Sequence, residues 1–210
     1  MSEASVNRDV SNKLLHLEWL SVLSFGAGFD LDQLNTTREV NAAVVNVSGR
    51  QRMLSQRTAL LALQLVCSQD EVEQAELRTV LHSAIALMEA SHHGLLKGDE
   101  VMKLPGHLSP ALEAMYFEPP MNLDQQVRDY VYRVRAIATA PAPELTLANP
   151  HLQAVLSSAS TRLLASLDAV VSQYQQESEA EQLALDLAHA ELFQQRDTAT
   201  AAAQQQAQQL

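Results

Sequence analysis

The sequence predicts an all-α protein, an elongated antiparallel four-helix bundle with one long connection between its second and third helices. Three observations carry this. Aromatic residues are only 4% of the chain, while Ala, Leu, Gln and Glu dominate, a helix-forming composition. Glycine (6) and proline (7) together make 13 of 210 residues, too few for a turn-rich β-fold. Apolar residues recur at alternating spacings of four and three, the mark of a helix seam packed along a bundle.

The elements follow in order. Residues 1–34 form an N-terminal segment in which Leu14–Leu23 predicts a short helix, with Gly26, Gly28, Asp30 and Asp32 marking the connection to the main body. Thr36 and Thr37 stand at an N-cap position, and a first long helix is expected from about Thr37 to Ser68. Its seam is Val40, Val44, Val47, Gln51, Leu54, Thr58, Leu61 and Leu65. At 1.5 Å per residue such a helix is about 45 Å long. Asp70 and Glu71 open a second helix that Gly94 and Gly98 end, and the short turn between the two makes them antiparallel neighbours.

Pro105, Pro110, Pro119 and Pro120 make Gly98–Asn122 a long connection with one short helix over Pro110–Tyr116, where Tyr116 and Phe117 are expected to cap the core. Asp124 starts the third long helix, which the Ala140-Pro141-Ala142-Pro143 stretch stops. Asn149 and Pro150 read as N-cap and first helical residue of a fourth, expected to run unbroken to Arg196. The bundle proper is placed at 35–178, and 179–210 is read as an acidic helical extension and an Ala/Gln tail that frays from Thr198 onward.

Charge narrows the function. Fourteen basic against 25 acidic residues give a net charge of −11, which repels nucleic acid and anionic membrane surfaces. The single cysteine, Cys67, is read as a buried small residue; it excludes an intramolecular disulfide and fits a reducing compartment. The stretch from Leu14 to Phe25 is broken by His16, Glu18, Ser21 and Ser24, too polar and too short to span a bilayer, and without a basic n-region close before it or a clean cleavage site it does not read as a secretory signal. The expected location is cytoplasmic.

One segment reverses the sign. From Val40 to Val66 there is no acidic residue, yet Arg50, Arg52 and Arg57 are present. Arg52 lies in a second four-three stripe, Val45, Ser48, Arg52, Ser55, Ala59, Ala62 and Val66, whose other members are small or β-branched. Small residues let another helix come close, so a guanidinium there is expected between helices, where it needs an anion or a carboxylate. Its planar fork suits two oxygens of a flat anion. Across a two-fold axis, two Arg52 side chains about 7 Å apart would repel by roughly 2 kcal/mol at a dielectric near 20, whereas an anion about 4 Å from both gains roughly 4 from each. The alternative is that Arg52 pairs with a carboxylate such as Glu73 or Glu76 and that the stripe is internal packing. Arg50 and Arg57, seven residues apart on one face, read as solvated charges.

The run Asn46-Val47-Ser48-Gly49-Arg50-Gln51-Arg52-Met53-Leu54-Ser55-Gln56-Arg57 resembles the signature of the type IV pili methyl-accepting chemotaxis transducer N-terminal (PilJ-like) family, and is similar to the P-box of NarX-type nitrate and nitrite sensor kinases. The resemblance continues in Leu104-Pro105, Met115–Pro120 and Asn122-Leu123-Asp124, and in Leu167–Val171 with Tyr174-Gln175. It implies a dimeric four-helix sensor in which Arg52 binds a small oxyanion such as nitrate or nitrite, with Ser48, Gly49 and Arg57 as neighbouring motif positions. Separately, the sequence shows no nucleophile with its base, no phosphate-binding glycine loop and no dinucleotide fingerprint, so neither catalysis nor a cofactor is expected. Family members typically sit outside the cytoplasm between two membrane helices and feed a kinase or chemoreceptor; neither membrane helix nor output domain is expected in this sequence, so output is expected to pass to an unknown downstream signalling protein. The Arg50-Gln51 pair follows the PilJ-like form.

Two other readings compete. Glu89 with His92 has the spacing of half a ferritin-like metal site, and Asp186 with His189 offers a loose second half, but further carboxylates in register are not evident. His92, His93 and His189 are instead expected at the surface or an interface. An acidic late helix carrying Glu177, Glu179, Glu181, Asp186 and Glu191, with no basic residue until Arg196, would suit an adaptor that docks a basic partner.

Overall fold

The computed structural model describes residues 36–208, so the expected Leu14–Leu23 helix, the connection after it and the last two residues lie outside the described residues. The chain divides into two compact units, Met1–Glu39 and Val40–Leu210, and the bundle belongs to the second. Among the described residues the protein is entirely helical apart from turns and one isolated bridge.

Helix α1 covers 36–67 and turns through Ser68–Asp70 into α2, Glu71–Lys97. The Asp70 carboxylate accepts from the backbone N–H of Val72 (2.7 Å) and Glu73 (3.2 Å), filling two of the donors that a helix start leaves open. The α1 seam faces the core as its spacing predicts: Val44, Val47, Gln51, Leu54, Thr58 and Leu65 are buried and Leu61 is partly so. Cys67, however, is exposed, because it falls one position off both inward stripes on the last turn of α1.

Helix α2 continues through Gly94 to its cap at Gly98, whose φ of +89° suits glycine. Gly94 lies where a methyl group would come within 2.8 Å of the Leu104 and Met102 side chains, so the missing Cβ lets the following loop fold against the helix. That loop closes through the reciprocal Asp99–Leu104 backbone pair (3.1 and 2.8 Å) and leads to α3, Pro110–Phe117, capped by the Ser109 hydroxyl. Tyr116 is buried as expected, but Phe117 is 45% exposed and does not cap the core. On an eight-residue helix adjacent positions lie about 100° apart, so only one of the two rings can face inward.

Helix α4, Leu123–Thr139, is antiparallel to α2: the Arg135–Glu89 and His92–Asp124 contacts connect them, and Arg78 donates to the carbonyls of Ala138 and Ala140 at the end of α4. A short 3-10 turn, Ala142–Glu144, then leads to α5, Pro150–Ser160, with Asn149 as N-cap. The fourth leg is not continuous. It breaks at Thr161 (φ −132°, ψ −104°), and α6 resumes at Arg162 and runs to Gln208. The cause lies in a hydroxyl-rich run: Ser160 and Thr161 donate back to the carbonyls of Leu156 and Ser157, both at 2.7 Å, competing with the backbone ladder. Gln56 of α1 donates to the Ala159 carbonyl beside the break.

The tail expected to fray from Thr198 is helical through residue 208. Burial along α6 stops at Tyr174, and every later described residue is half-buried or exposed. The stretch Pro150–Gln206 is long and apolar enough to cross a membrane by length and composition alone, but Leu163, Leu167 and Val170 spend its apolarity on the bundle core.

Candidate functional site

The arginine-bearing segment of α1 presents three different faces. Its seam packs inward, and Gln51 sits there at 1% exposure, donating Nε2 to the Met88 carbonyl of α2 at 2.7 Å. One turn away Tyr130 of α4 donates to the Ser55 carbonyl (2.6 Å) and shares a hydrogen bond with Thr58 (2.9 Å), while burial pushes its phenol up to about 12. These bonds hold the segment from Gln51 to Thr58 against two other helices.

The second stripe corrects the sequence expectation. Ser48, Ser55, Ala59, Ala62 and Val66 are all buried inside the chain's own bundle. Small residues here bring α1 close to its neighbours within one chain, so this stripe does not provide a free face on which two copies could set Arg52 against Arg52. Arg52 itself escapes the stripe. Its side chain is 52% exposed and Nη1 meets Asp168 Oδ1 of α6 at 3.0 Å. The long aliphatic stem carries the charge out of the packed layer to the groove between α1 and α6. A carboxylate partner does exist, then, and it is Asp168 rather than Glu73 or Glu76.

The four motif positions therefore do not converge. The Ser48 hydroxyl is turned inward and donates to the Val45 carbonyl at 3.0 Å. Gly49 is half-buried with open space where a Cβ would stand, so its backbone is approachable. Arg57 is exposed on another side of α1, sharing that side with Arg50, and among the described residues neither makes an ion pair. What the fold does bring together is Arg52 and Asp168, a half-exposed contact linking the first helix to the last, which are joined again where Asn41 donates to Glu181 at 3.0 Å. Nothing local marks Asp168 as the partner, since it stands 116 residues away.

A second polar cluster lies at the α2–α4 contact. Of the surface or interface position expected for it, His92 does not take the surface: it is buried between α2 and α4, and its Nε2 bonds Asp124 Oδ1 at 2.8 Å, while Arg128 holds the other carboxylate oxygen at 2.9 Å. Burial lowers the His92 pKa below its ordinary 6.5 despite the favourable carboxylate. Burial works to raise Asp124, but the hydrogen bonds from His92 and Arg128 outweigh it and hold the carboxyl below 3.8. Tyr116 packs its ring 5.9 Å from His92, and burial drives its phenol well above its usual range.

Glu89, the other half of the suggested metal pair, is engaged elsewhere: Arg135 donates to both its oxygens at 2.8 and 2.7 Å. His189 stacks edge-on against Phe193, and Asp186 accepts from Gln182 on the same helix. Among the described residues no three His, Cys, Asp or Glu side chains gather as metal ligands.

Residues 34–151, more than half of the chain, match the family described as type IV pili methyl-accepting chemotaxis transducer N-terminal domain, PilJ. No curated protein and no solved structure matches the chain. The match contains the arginine-bearing segment, α2, α3 and α4, and stops before Asp168. By that match, the chain belongs to the type IV pili methyl-accepting chemotaxis transducer N-terminal family.

Proposed function

We propose that this chain is a non-enzymatic signal-transduction sensor whose ligand is a small oxyanion of the nitrate or nitrite kind, taken up by Arg52 in exchange for Asp168. The observation that carries the reading is the Arg52–Asp168 pair. It is half exposed, uses one contact of a guanidinium that has five donors, and links α1 to α6. An incoming anion competes with one solvated carboxylate and not with a buried network, so exchange costs little. Filling Arg52 from solution frees Asp168 and loosens α1 from α6, which converts binding into a change in the helix that leaves the bundle.

Gly49 supports the reading through its approachable backbone one turn before Arg52. Arg57 adds positive potential along the same helix, and Ser48 contributes by shaping the turn and not through its hydroxyl. The working form is a homodimer that hands its state to a separate signalling protein. An exposed, unpaired thiol at Cys67 supports a reducing, cytoplasmic setting.

Calorimetry with nitrate, nitrite and chloride tests this. Wild type is expected to give heat with a cognate anion, Arg52→Ala none, and Asp168→Asn a several-fold tighter binding because its competitor is gone. An Asp168→Asn affinity equal to wild type would sink the exchange. The adaptor reading, a bundle that binds only proteins, draws on the same pair, because Arg52 already has a partner; no heat with any anion in wild type or Asp168→Asn would favour it.

A further inference from the structure

Past Tyr174, the last buried residue of α6, Ala180, Leu183, Leu187 and Ala190 recur at three-four-three spacing, all of them exposed. Leu183 is 61% and Leu187 58% exposed. Glu179 and Asp186 border this seam on one edge and Glu191 on the other. The back of the same length is occupied, because Glu181, about 160° around the helix from Leu183, accepts from Asn41 of α1 at 3.0 Å. The seam ends near Phe193, whose ring Arg196 covers at 5.0 Å.

This length of helix is poorly equipped to stand alone. Between Arg162 and Arg196 there is no Lys or Arg, so no i, i+4 pair of opposite charges braces it, and Glu177 and Glu181 set like charges one turn apart. Leucines on a solvated face gain nothing from burial, whereas a second helix seated on them removes their surface from water. The alanines on either side of the two leucines leave room for the large apolar side chains of such a helix.

We infer that the face of α6 from Glu179 to Glu191 is a docking surface for a basic amphipathic helix of a second protein, with large apolar residues over Leu183 and Leu187 and lysine or arginine opposite Glu179, Asp186 and Glu191. Charge selects this occupant. Another α6 laid on the seam would set those three carboxylates against their own copies, and an anionic membrane surface would meet the same repulsion. The inference deepens the proposed sensor reading, on which the docked protein is the one that receives the signal; the surface itself makes no use of Arg52 or of an anion.

Fluorescence anisotropy on the full chain tests it, with far-UV circular dichroism confirming that each variant is folded. The probe is a labelled synthetic helix of about three heptads, with leucine at the two inward positions and lysine at the two flanking ones. Wild type is expected to bind it, more weakly as salt rises. Leu183→Ser/Leu187→Ser should weaken binding by about tenfold or more, and Glu179→Lys/Glu191→Lys should do the same while gaining affinity for the matching probe that carries glutamate in place of lysine. Glu100→Lys/Glu113→Lys, which changes the net charge equally from exposed positions elsewhere, should stay within about twofold of wild type. No binding by wild type, unchanged binding by either seam variant, or an equal loss in the Glu100/Glu113 variant would overturn the inference, as would sedimentation showing that the seam residues hold two copies of this chain together. Nitrate calorimetry on the same samples separates the two readings: probe binding without nitrate heat removes only the ligand, and nitrate heat without probe binding removes only this surface.

Discussion

Two of the polar pairs that join helices among the described residues sit in opposite surroundings. His92–Asp124 lies between α2 and α4 with side chains 11% and 14% exposed, whereas Arg52–Asp168 lies between α1 and α6 with side chains 52% and 47% exposed. Their lengths hardly differ, 2.8 against 3.0 Å. Burial is what separates them. In the first, loss of either partner strands a desolvated group; in the second, water and small ions can stand in at once. The α2–α4 contact therefore holds the fold, and the α1–α6 contact is suited to exchange.

Substitutions sharpen the contrast. Asp124→Ala should have the largest effect, about 2–3 kcal/mol of stability, because it leaves His92 buried without its acceptor and Arg128 without its carboxylate. Urea titration would check it, and a loss below about 1 kcal/mol would erase the distinction between the pairs. Tyr130→Phe comes next, at about 1–2 kcal/mol by the same titration, since the Ser55 carbonyl and the Thr58 hydroxyl both lose a partner inside the core.

Acidification should act through the buried pair. The folded-state pKa of His92 lies below its unfolded value, so the unfolded chain takes up the proton first, and stability falls as the pH drops below about 6.5. Asp124 also has a lowered folded pKa, so its contribution is present above 3.8 and is lost as the pH falls through the folded value. The urea midpoint of wild type should thus decline between pH 7 and 5, and His92→Gln should flatten that decline; parallel profiles would remove His92 as its source. The smallest effect on folding is expected for Arg52→Ala, under about 1 kcal/mol at so exposed a pair. A markedly larger loss in thermal unfolding would make Arg52 a structural residue.

Much of the bundle was legible from local signals. Asp70 and Asn149 open their helices where their side-chain chemistry and the following residues indicate, and the α1 seam from Val44 to Leu65 turns to the core as its spacing indicates. What escaped notice depends on residues far apart or on competition within a turn. The hydroxyl run at Ser157–Thr161 reads as ordinary helix until its back-bonding breaks the ladder. For the candidate site the segment was legible but its surroundings were not. Periodicity placed Arg52 in a small-residue stripe, yet spacing along one helix says nothing of which neighbouring helix fills that stripe, or of how far a flexible side chain reaches past it.

The amide of Gln51 fixes more than its own position. Its grip on the Met88 carbonyl, at 1% exposure and 2.7 Å, works as a detent between the first two helices. Sliding one past the other by even a single turn would surrender that bond in a place water does not reach. A piston stroke along α1 and α2 is thereby disfavoured, and on the proposed sensor reading a message would have to leave by the swing of α6 away from a locked pair.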